Sequence, residues 1–220
     1  MEKDSILTSI QKRFLEAVIK EPYLLKNYFT GGTVLSEFYL THRLSKDIDL
    51  FSEKEVHLPS IVKFVKKVAS KLGAIEIKEE QYLGLHTFFF KITNQEDFKV
   101  DFNYYPFLRI EKGKIWRGLA IDSLLDIAVN KIHTLYMKPR AREYVDIFFI
   151  TQKTNYSLND LVKFAKIKFD WHIEPLQLAR RFLEVIAAKD YPKMLVPFDK
   201  KEMKEFFLKE AKKLKKEIFK

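Results

Sequence analysis

The sequence predicts an α+β protein, in which a mixed sheet with flanking helices forms the first half and helices alone form the second. In residues 1–120, amphipathic helical stretches alternate with short runs of β-branched and aromatic residues. In residues 121–220, hydrophobic residues recur only at helical spacing. Hydrophobic residues make up 47% of the 220 positions, which is enough to bury a core. We therefore predict an α/β core over residues 1–120 and a helical domain over residues 121–220.

The elements of the first half follow from the spacing of its apolar residues and from the residues that interrupt it. Residues 5–20 show helical spacing, with Ser5 in the position of a cap. An apolar run over residues 24–29 precedes a Gly-Gly turn and a helical stretch, which predicts a strand, a turn and a helix. The full prediction is helices over residues 5–20, 34–39 and 59–72, and strands over residues 24–29, 47–51, 74–79, 86–92 and 98–105.

The second half is predicted to contain five helices. They cover residues 123–137, 142–151, 157–169, 175–189 and 200–220. The stretch 199–220 holds nine Lys against five acids, a balance of 9 − 5 = +4, and its apolar residues recur at helical spacing. We expect a packed helix with a basic outer face. The alternative is that this face, together with the lysines of the helix over residues 59–72, binds an RNA backbone.

Composition excludes several classes of protein and suggests a partner. The net charge of +10, from 40 Lys and Arg against 30 Asp and Glu, points to a polyanion such as nucleic acid or nucleotide phosphates. The absence of Cys excludes disulfide scaffolds, thiolate zinc sites and cysteine nucleophiles. No apolar run reaches the ~18 residues that a membrane span needs, and the start lacks the pattern of a signal peptide. We expect a soluble cytoplasmic protein with no membrane partner.

Three carboxylates lie in apolar strands rather than on polar faces. Asp47 and Asp49 alternate with apolar residues, so both side chains are predicted on one face of a strand, and Asp101 lies in a later strand that can pair alongside. Such acids repel one another unless a cation lies between them. Mg²⁺ prefers hard oxygen ligands, and two ions can hold both the attacking and the leaving oxygen in phosphoryl transfer. The alternative is an exposed edge strand whose acids face water.

A glycine turn and a basic loop precede these acids. The turn ends a predicted strand and begins a helix, where backbone N–H groups and the helix dipole favour a phosphate. The loop adds positive charge and a hydroxyl where a triphosphate would lie. The residues that we predict to bind nucleotide in this region are Gly31, Gly32, Thr33, Arg43, Ser45 and Lys46.

These motifs occur in an order that resembles a known superfamily. Gly31-Gly32-Thr33, then the segment Arg43-Leu44-Ser45-Lys46-Asp47-Ile48-Asp49-Leu50-Phe51, then Val100-Asp101-Phe102 resemble the signature of the polymerase-β-like nucleotidyltransferases. More closely, they resemble its AbiEii/AbiGii toxin branch, from type IV toxin–antitoxin and abortive-infection systems. That branch carries a later D-x-x-x-x-K motif and an acidic helical motif, which Asp126–Lys131 and Arg142–Ile147 match. The resemblance covers residues 25–150.

The resemblance implies a nucleotidyltransferase fold in the first half and transfer of a nucleoside monophosphate from an NTP to an acceptor hydroxyl. Asp47 and Asp49 would hold one or two Mg²⁺ ions, and Asp101 would complete the metal site and orient or deprotonate the acceptor. The helical domain would contribute Lys131, as a phosphate ligand, and Asp146, which would orient Lys131 or contact the nucleotide. The implied partners are NTP, RNA and in particular tRNA, and an antitoxin encoded nearby.

Other interpretations of the same residues stay open at this point. The metal site could instead serve protein nucleotidylylation or phosphotransfer to Ser, Thr or Tyr, or it could bind NTP–Mg²⁺ without turnover. Lys131 and Asp146 could form an ordinary charge pair on a helix surface. His42 is expected in a solvated loop rather than at the phosphates. The family often has Gly-Ser where this chain has Gly31-Gly32, so any hydroxyl at the turn has to come from Thr33.

Overall fold

The structure is a computed structural model that describes residues 5–93 and 97–218. Parts of two predictions lie outside these residues, namely positions 1–4 and 94–96 of the predicted α/β core and positions 219–220 of the predicted last helix. The chain divides into two compact units. The α/β unit comprises Met1–Tyr39, Ser45–Leu108 and Lys112–Ser123, and the helical unit comprises Leu40–Leu44, Arg109–Glu111 and Leu124–Lys220.

The α/β unit is built on a mixed sheet of seven strands. They are β1 (Tyr28–Thr30), β2 (Ile48–Ser52), β3 (Ala74–Tyr82), β4 (Leu85–Ile92), β5 (Phe98–Tyr104), β6 (Ile115–Trp116) and β7 (Leu119–Ile121). Their order across the sheet is β3-β4-β5-β2-β1-β7-β6. β2 runs parallel to β5 and β1 runs parallel to β7, whereas the other neighbours are antiparallel. The predicted α+β class, with a mixed sheet and a helical second half, is confirmed.

The helices of this unit are α1 (Ser9–Val18), α2 (Gly31–Val34) and α3 (Leu58–Leu72), with a 3₁₀ turn at Leu24–Lys26 and a π-helical segment at Leu35–Leu40.

Helix α1 begins later than the sequence pattern predicts. The cap of α1 is Thr8, not Ser5, because Thr8 Oγ1 accepts from the Gln11 N–H and Gln11 Oε1 accepts from the Thr8 N–H. This reciprocal capping box satisfies two N–H groups at once and fixes the start of the helix.

Aromatic side chains join the helices to one face of the sheet. Phe14 of α1 packs edge-to-face against Phe64 of α3, Phe90 of β4 and Phe98 of β5, with ring centroids 5.7, 5.9 and 5.5 Å away. All four side chains are buried, so this cluster forms the core of the unit. Since neighbouring residues of a strand point to opposite faces, the cluster leaves the other face of β5 to polar side chains such as Asp101.

A short hairpin at the edge of the sheet is missing from the sequence prediction. Strands β6 and β7 hold two and three residues, which is too short for a period-two pattern to be recognised. Arg117 and Gly118 connect them with φ angles of 50° and 89°. Two consecutive residues with positive φ are typical of the tight turns that join antiparallel strands.

The helical unit contains α4 (Leu124–Met137), α5 (Ala141–Lys153), α6 (Leu158–Lys168), α7 (Pro175–Leu183), α8 (Lys200–Lys213) and α9 (Lys215–Ile218). The predicted helix over residues 175–189 is shorter than expected, because a 3₁₀ turn at Glu184–Ala187 follows α7. In the part of the chain described by the structure, no helix combines the length and the apolar character needed to cross a membrane.

The last long helix packs through one face and presents lysines on the other. Met203, Phe207 and Ala211 of α8 are buried, and the Phe207 ring lies 5.0 Å from the ring of Tyr144 in α5. The lysines of α8 are mostly exposed. The expected packed helix with a basic outer face is therefore confirmed over the residues that the structure describes.

A buried ion pair joins α4 to α6. Lys168 Nζ lies 2.7 Å from Asp126 Oδ1, and the two side chains are 1% and 0% exposed. Asp126 also accepts from the backbone N–H groups of Ile110 and Glu111, at 2.8 and 3.0 Å. The acid of the D-x-x-x-x-K motif therefore holds together parts of the helical unit that are distant in sequence.

Replacing Asp126 by Ala should destabilise the protein by about 3–5 kcal/mol, because it leaves the buried Lys168 ammonium without a counter-charge. Urea unfolding followed by circular dichroism measures this free energy. Glu205→Ala is the control, since Glu205 forms an exposed pair with Lys201 and its removal should leave the unfolding midpoint in place. Equal midpoints for Asp126→Ala and Glu205→Ala would contradict the structural role of Asp126.

Candidate active site

Strand pairing brings the predicted acids of the α/β unit together. β2 lies between β1 and β5, and in this register Asp49 stands opposite Thr30 on one side and Asp101 on the other. Asp47 immediately precedes β2. The predicted pairing of the two acidic strands is confirmed, and the alternative of an exposed edge strand is wrong because β2 is an inner strand.

The glycine turn is in direct contact with one of these acids. Gly31 has a φ of 79°, and a Cβ atom added to it would overlap the Asp49 carboxylate. This position requires a positive φ and leaves no room for a Cβ atom. Only glycine meets both requirements, since other residues rarely adopt positive φ and all of them carry a Cβ. Thr33 Oγ1 donates to the backbone carbonyl of Asp47 at 2.5 Å. The turn therefore fixes the backbone at Asp47 and the side chain at Asp49.

The loop before Asp47 is held from the first helix. Gln11 of α1 is buried, and its Nε2 donates to the backbone carbonyls of Ser45 and Lys46 at 3.1 and 3.0 Å. The Lys46 side chain is exposed, and Ser45 is half-buried. One residue thus caps the helix and positions the loop that leads into the acidic strand.

A lysine that the sequence analysis did not single out lies among the acids. Lys99 Nζ is 2.6 Å from Asp101 Oδ2 and 3.9 Å from Asp47 Oδ2. Thr87 Oγ1 donates to the other Asp101 oxygen at 2.6 Å. Burial alone would lower the pKa of Lys99, but the hydrogen bond to Asp101 and the charges of Asp101, Asp47 and Asp49 hold that pKa above its usual value. Lys99 is thus a charged partner of this acid cluster.

The donor set of the acid cluster fits a hard divalent cation. Asp47, Asp49 and Asp101 offer carboxylate oxygens, the ligands that Mg²⁺ prefers, and the Lys99 ammonium shows that a cation is accepted among them. Within residues 5–93 and 97–218, however, no group of three or more His, Cys, Asp or Glu side chains has the arrangement of a metal site. The carboxylate oxygens therefore suit Mg²⁺, but in this structure the cation among them is the Lys99 ammonium.

The helical unit contains a second buried charge cluster, centred on Asp146 of α5. Arg43 donates to both carboxylate oxygens of Asp146, from Nε at 2.6 Å and from Nη2 at 2.8 Å. Lys131 Nζ of α4 lies 2.7 Å from Asp146 Oδ2, and His42 Nε2 lies 2.8 Å from Asp146 Oδ1. Lys131 is only 9% exposed and Asp146 is fully buried, so the alternative of a surface charge pair is wrong.

The electrostatics of this cluster keep Asp146 ionised. Burial by itself raises the pKa of Asp146, but the charges of Arg43 and Lys131 and the hydrogen bonds from Arg43 and His42 hold that pKa well below its usual value. Burial lowers the pKa of His42, and the contact with Asp146 only partly opposes this. At neutral pH Asp146 is therefore a carboxylate, and His42 is its neutral hydrogen-bond partner.

The segment that carries His42 and Arg43 pairs with a late part of the chain. The Leu44 N–H donates to the Lys193 carbonyl at 2.8 Å, and the Leu195 N–H donates to the His42 carbonyl at 2.9 Å. His42 is fully buried and its ring lies 5.2 Å from that of Phe149, so the expectation of a solvated loop was wrong. Lys193 and Leu195 thus hold the backbone on both sides of Arg43, although no motif is recognised after residue 150.

Three known proteins resemble this chain at low sequence identity, two of them in their solved structures. The crystal structure of JHP933 from Helicobacter pylori has a TM-score of 0.57 at 17% identity, and the match covers 94% of this chain and 91% of that one. A crystal structure of a proposed nucleotidyltransferase from H. pylori has a TM-score of 0.59 at 17% identity, with 94% of each chain covered. The uncharacterized protein aq_aa25 of Aquifex aeolicus (strain VF5) is 26% identical over 162 residues, which are 72% of this chain and 74% of that protein.

A family model also matches most of the chain. The model is described as the nucleotidyl transferase AbiEii toxin of the type IV toxin–antitoxin system, and it matches residues 13–214. The match extends well beyond residues 25–150, where the motifs lie, and includes the late segment that supports Arg43. The chain therefore belongs to the AbiEii family of toxin nucleotidyltransferases and is a nucleotidyltransferase.

Proposed function

We propose that this nucleotidyltransferase moves a nucleoside monophosphate from an NTP to a hydroxyl group of RNA, with tRNA as the acceptor and Mg²⁺ as the cofactor. The observation that supports the proposal most directly is the register of β2 and β5, which aligns Asp49 with Asp101 next to Asp47. In the reaction, an acceptor oxygen forms a bond to the α-phosphorus, the bond to pyrophosphate breaks, and the acceptor loses its proton.

The acid cluster supplies the metal ligands in this proposal. Asp47, Asp49 and Asp101 hold Mg²⁺, which when bound offsets the charge of the triphosphate and activates the acceptor oxygen. Asp101 also orients the acceptor hydroxyl and assists removal of its proton. The hydrogen bond from Thr87 supports this role, because it fixes one Asp101 oxygen and thereby the orientation of the other.

The nucleotide-binding residues differ in how their side chains are placed. Gly31 and Gly32 bring backbone close to the triphosphate, and exposed Lys46 with neighbouring Ser45 offers a charge and a hydroxyl. The hydroxyl of Thr33 is already donated to Asp47, so its part is to position that acid. These assignments rest on the family resemblance together with the contacts in the α/β unit.

Two residues of the helical unit complete the proposal. Lys131 binds a phosphate as a point charge, and Asp146 orients it through the 2.7 Å contact. Arg43 donates to Asp146 through two of its nitrogens, so we assign it to the positioning of that carboxylate rather than to direct phosphate binding. His42 adds a neutral hydrogen bond to the same carboxylate.

The choice of RNA as acceptor is supported by charge and by the family context. The net charge is +10, and the lysines of α3 and α8 that project from the packed faces are mostly exposed. The family belongs to type IV toxin–antitoxin systems, for which we propose a cytoplasmic setting and a cognate antitoxin encoded nearby.

Incubation of the protein with each α-labelled NTP, Mg²⁺, total RNA and total cell protein tests the acceptor. Label in tRNA is the expected result. Label in protein would contradict the RNA acceptor and support nucleotidylylation, and the absence of label despite measurable NTP binding would contradict turnover.

Omission of Mg²⁺ from the same reaction should abolish transfer of the label. If the rate of transfer were the same when a chelator is added, the proposed metal dependence would be wrong.

Asp47→Asn and Asp49→Asn should each lower kcat by on the order of a hundredfold or more, because each removes a charged metal ligand while keeping the size of the side chain. The rate of label transfer to RNA measures the effect. Glu80→Gln is the matched control, since Glu80 is an exposed acid of β3 in the same sheet. A wild-type rate for Asp49→Asn would refute its assignment as a ligand.

Lys131→Ala should raise the KM for NTP by about tenfold to a hundredfold, because the variant loses one charge-assisted hydrogen bond to a phosphate.

Asp146→Asn should raise the same KM and should also destabilise the protein by about 3–5 kcal/mol, because Arg43 and Lys131 lose their buried counter-charge. That loss of stability should be largest above pH 4 and should shrink as the pH falls toward the depressed pKa of Asp146. Urea unfolding at several pH values measures it. An unchanged KM in both variants would remove Lys131 and Asp146 from the nucleotide site.

A further inference from the structure

The Lys99 side chain differs from the other lysines that pair with acids on this sheet. Its ammonium lies 2.6 Å from Asp101 and 3.9 Å from Asp47, and the side chain is 30% exposed. On the neighbouring strand, Lys91 pairs with Glu76 at 3.4 Å, but these side chains are 60% and 62% exposed. Lys99 therefore places its charge within the acid cluster, whereas Lys91 forms an ordinary surface pair.

The position of Lys99 follows from strand geometry. Lys99 and Asp101 are two residues apart on β5, so both side chains project from the same face. Asp101 stands opposite Asp49 and Thr87, which places the acid between its two neighbouring strands. The flexible four-carbon stem of a lysine can move while this backbone stays in place. Asp101, in contrast, is held by Thr87 from the other side.

A lysine and a divalent cation cannot both occupy this position. The oxygen that Lys99 contacts, Asp101 Oδ2, is one of the oxygens that a metal held by Asp101 and Asp47 would need, and the two cations would repel each other at such short range. Conversely, the acids repel each other when neither cation is present. One cation therefore has to leave as the other arrives.

We propose that Lys99 is a built-in competitor of the divalent metal, a positioning residue that neutralises the acid cluster in the nucleotide-free protein and has to withdraw before the metal binds. This inference rests on the proposed metal-dependent function. Its consequence is that the free protein binds divalent cations weakly, and that tight binding needs the additional phosphate ligands of an NTP.

Titration of Mn²⁺ into the nucleotide-free protein, followed by electron paramagnetic resonance, tests the competition without relying on activity. Lys99→Met should bind Mn²⁺ about tenfold or more tightly than the wild type, because a positive charge leaves the site while most of the side-chain volume stays. Lys99→Arg should remain within about threefold of the wild type, because the charge is retained. An unchanged or weaker affinity in Lys99→Met would overturn the proposal.

Two controls separate the charge of Lys99 from other effects of substitution. Lys91→Met removes a lysine from the surface pair and should leave the Mn²⁺ affinity unchanged. Thr87→Val removes the other contact of Asp101 without changing any charge, and it should not tighten Mn²⁺ binding. If either control tightened binding as much as Lys99→Met does, the effect would not come from the Lys99 charge and the competition would be refuted.

A third variant distinguishes failure of this inference from failure of the proposed function. If Asp47→Asn weakens Mn²⁺ binding but Lys99→Met does not strengthen it, the competition is wrong and the metal site stands. If Asp47→Asn leaves Mn²⁺ binding unchanged both in the wild-type protein and in the Lys99→Met variant, the assigned metal site is wrong. The proposed competition is then wrong as well.

Thermal melting covers the case in which Lys99→Met is too unstable for titration. Uncompensated repulsion among the acids should lower its melting temperature, and Mn²⁺ should raise that temperature by more than it raises the wild-type value. A variant that Mn²⁺ stabilises no more than the wild type would contradict the competition.

Discussion

The pairing of β2 with β1 on one side and with β5 on the other determines where the functional groups of the α/β unit lie. The antiparallel partner brings the end of β1, and with it Gly31, against Asp49. The parallel partner brings Asp101 level with Asp49. A shift of one residue in either pairing would turn the acids to the aromatic face of the sheet, where Phe14 and its neighbours form the core. The hydrophobic packing of that core therefore also sets the register of the acid cluster.

Three of the buried acids that the structure describes are in contact with a cation. Asp126 pairs with Lys168, Asp146 with Arg43 and Lys131, and Asp101 with Lys99. The first two pairs are deeply buried, and their geometry is completed by further hydrogen bonds, as expected of charges removed from water. The third is partly exposed and involves a single flexible lysine. The degree of burial thus separates the two ion pairs in the core of the helical unit from the pair on β5, whose lysine is partly accessible to water.

Sequence reasoning predicted the elements with strong periodicity and the acids that interrupt it. The alternation around Asp47 and Asp49 indicated a strand, and the strand was found with Asp101 beside it. Reasoning from local pattern could not predict Gln11, because a glutamine within an amphipathic helix has no signature for contacts with a loop more than thirty residues later. The K-x-D spacing of Lys99 and Asp101 was visible in the sequence, but it gains meaning only once Asp47 is known to lie nearby. The burial of His42 depended on the segment around Lys193, which no local pattern connects to it.

The division of the motif Arg43–Phe51 between two compact units has a consequence for modularity. Arg43 belongs to the helical unit, through Asp146 and its backbone bridge to Met194, whereas the acids four and six residues later belong to the α/β unit. No single cut in the chain separates the two units intact, because a fragment ending at Ser123 would contain Arg43 without its carboxylate partner Asp146. Recombination during evolution would meet the same obstacle. The two units are therefore expected to be inherited together, and relatives should preserve the whole length rather than the sheet alone.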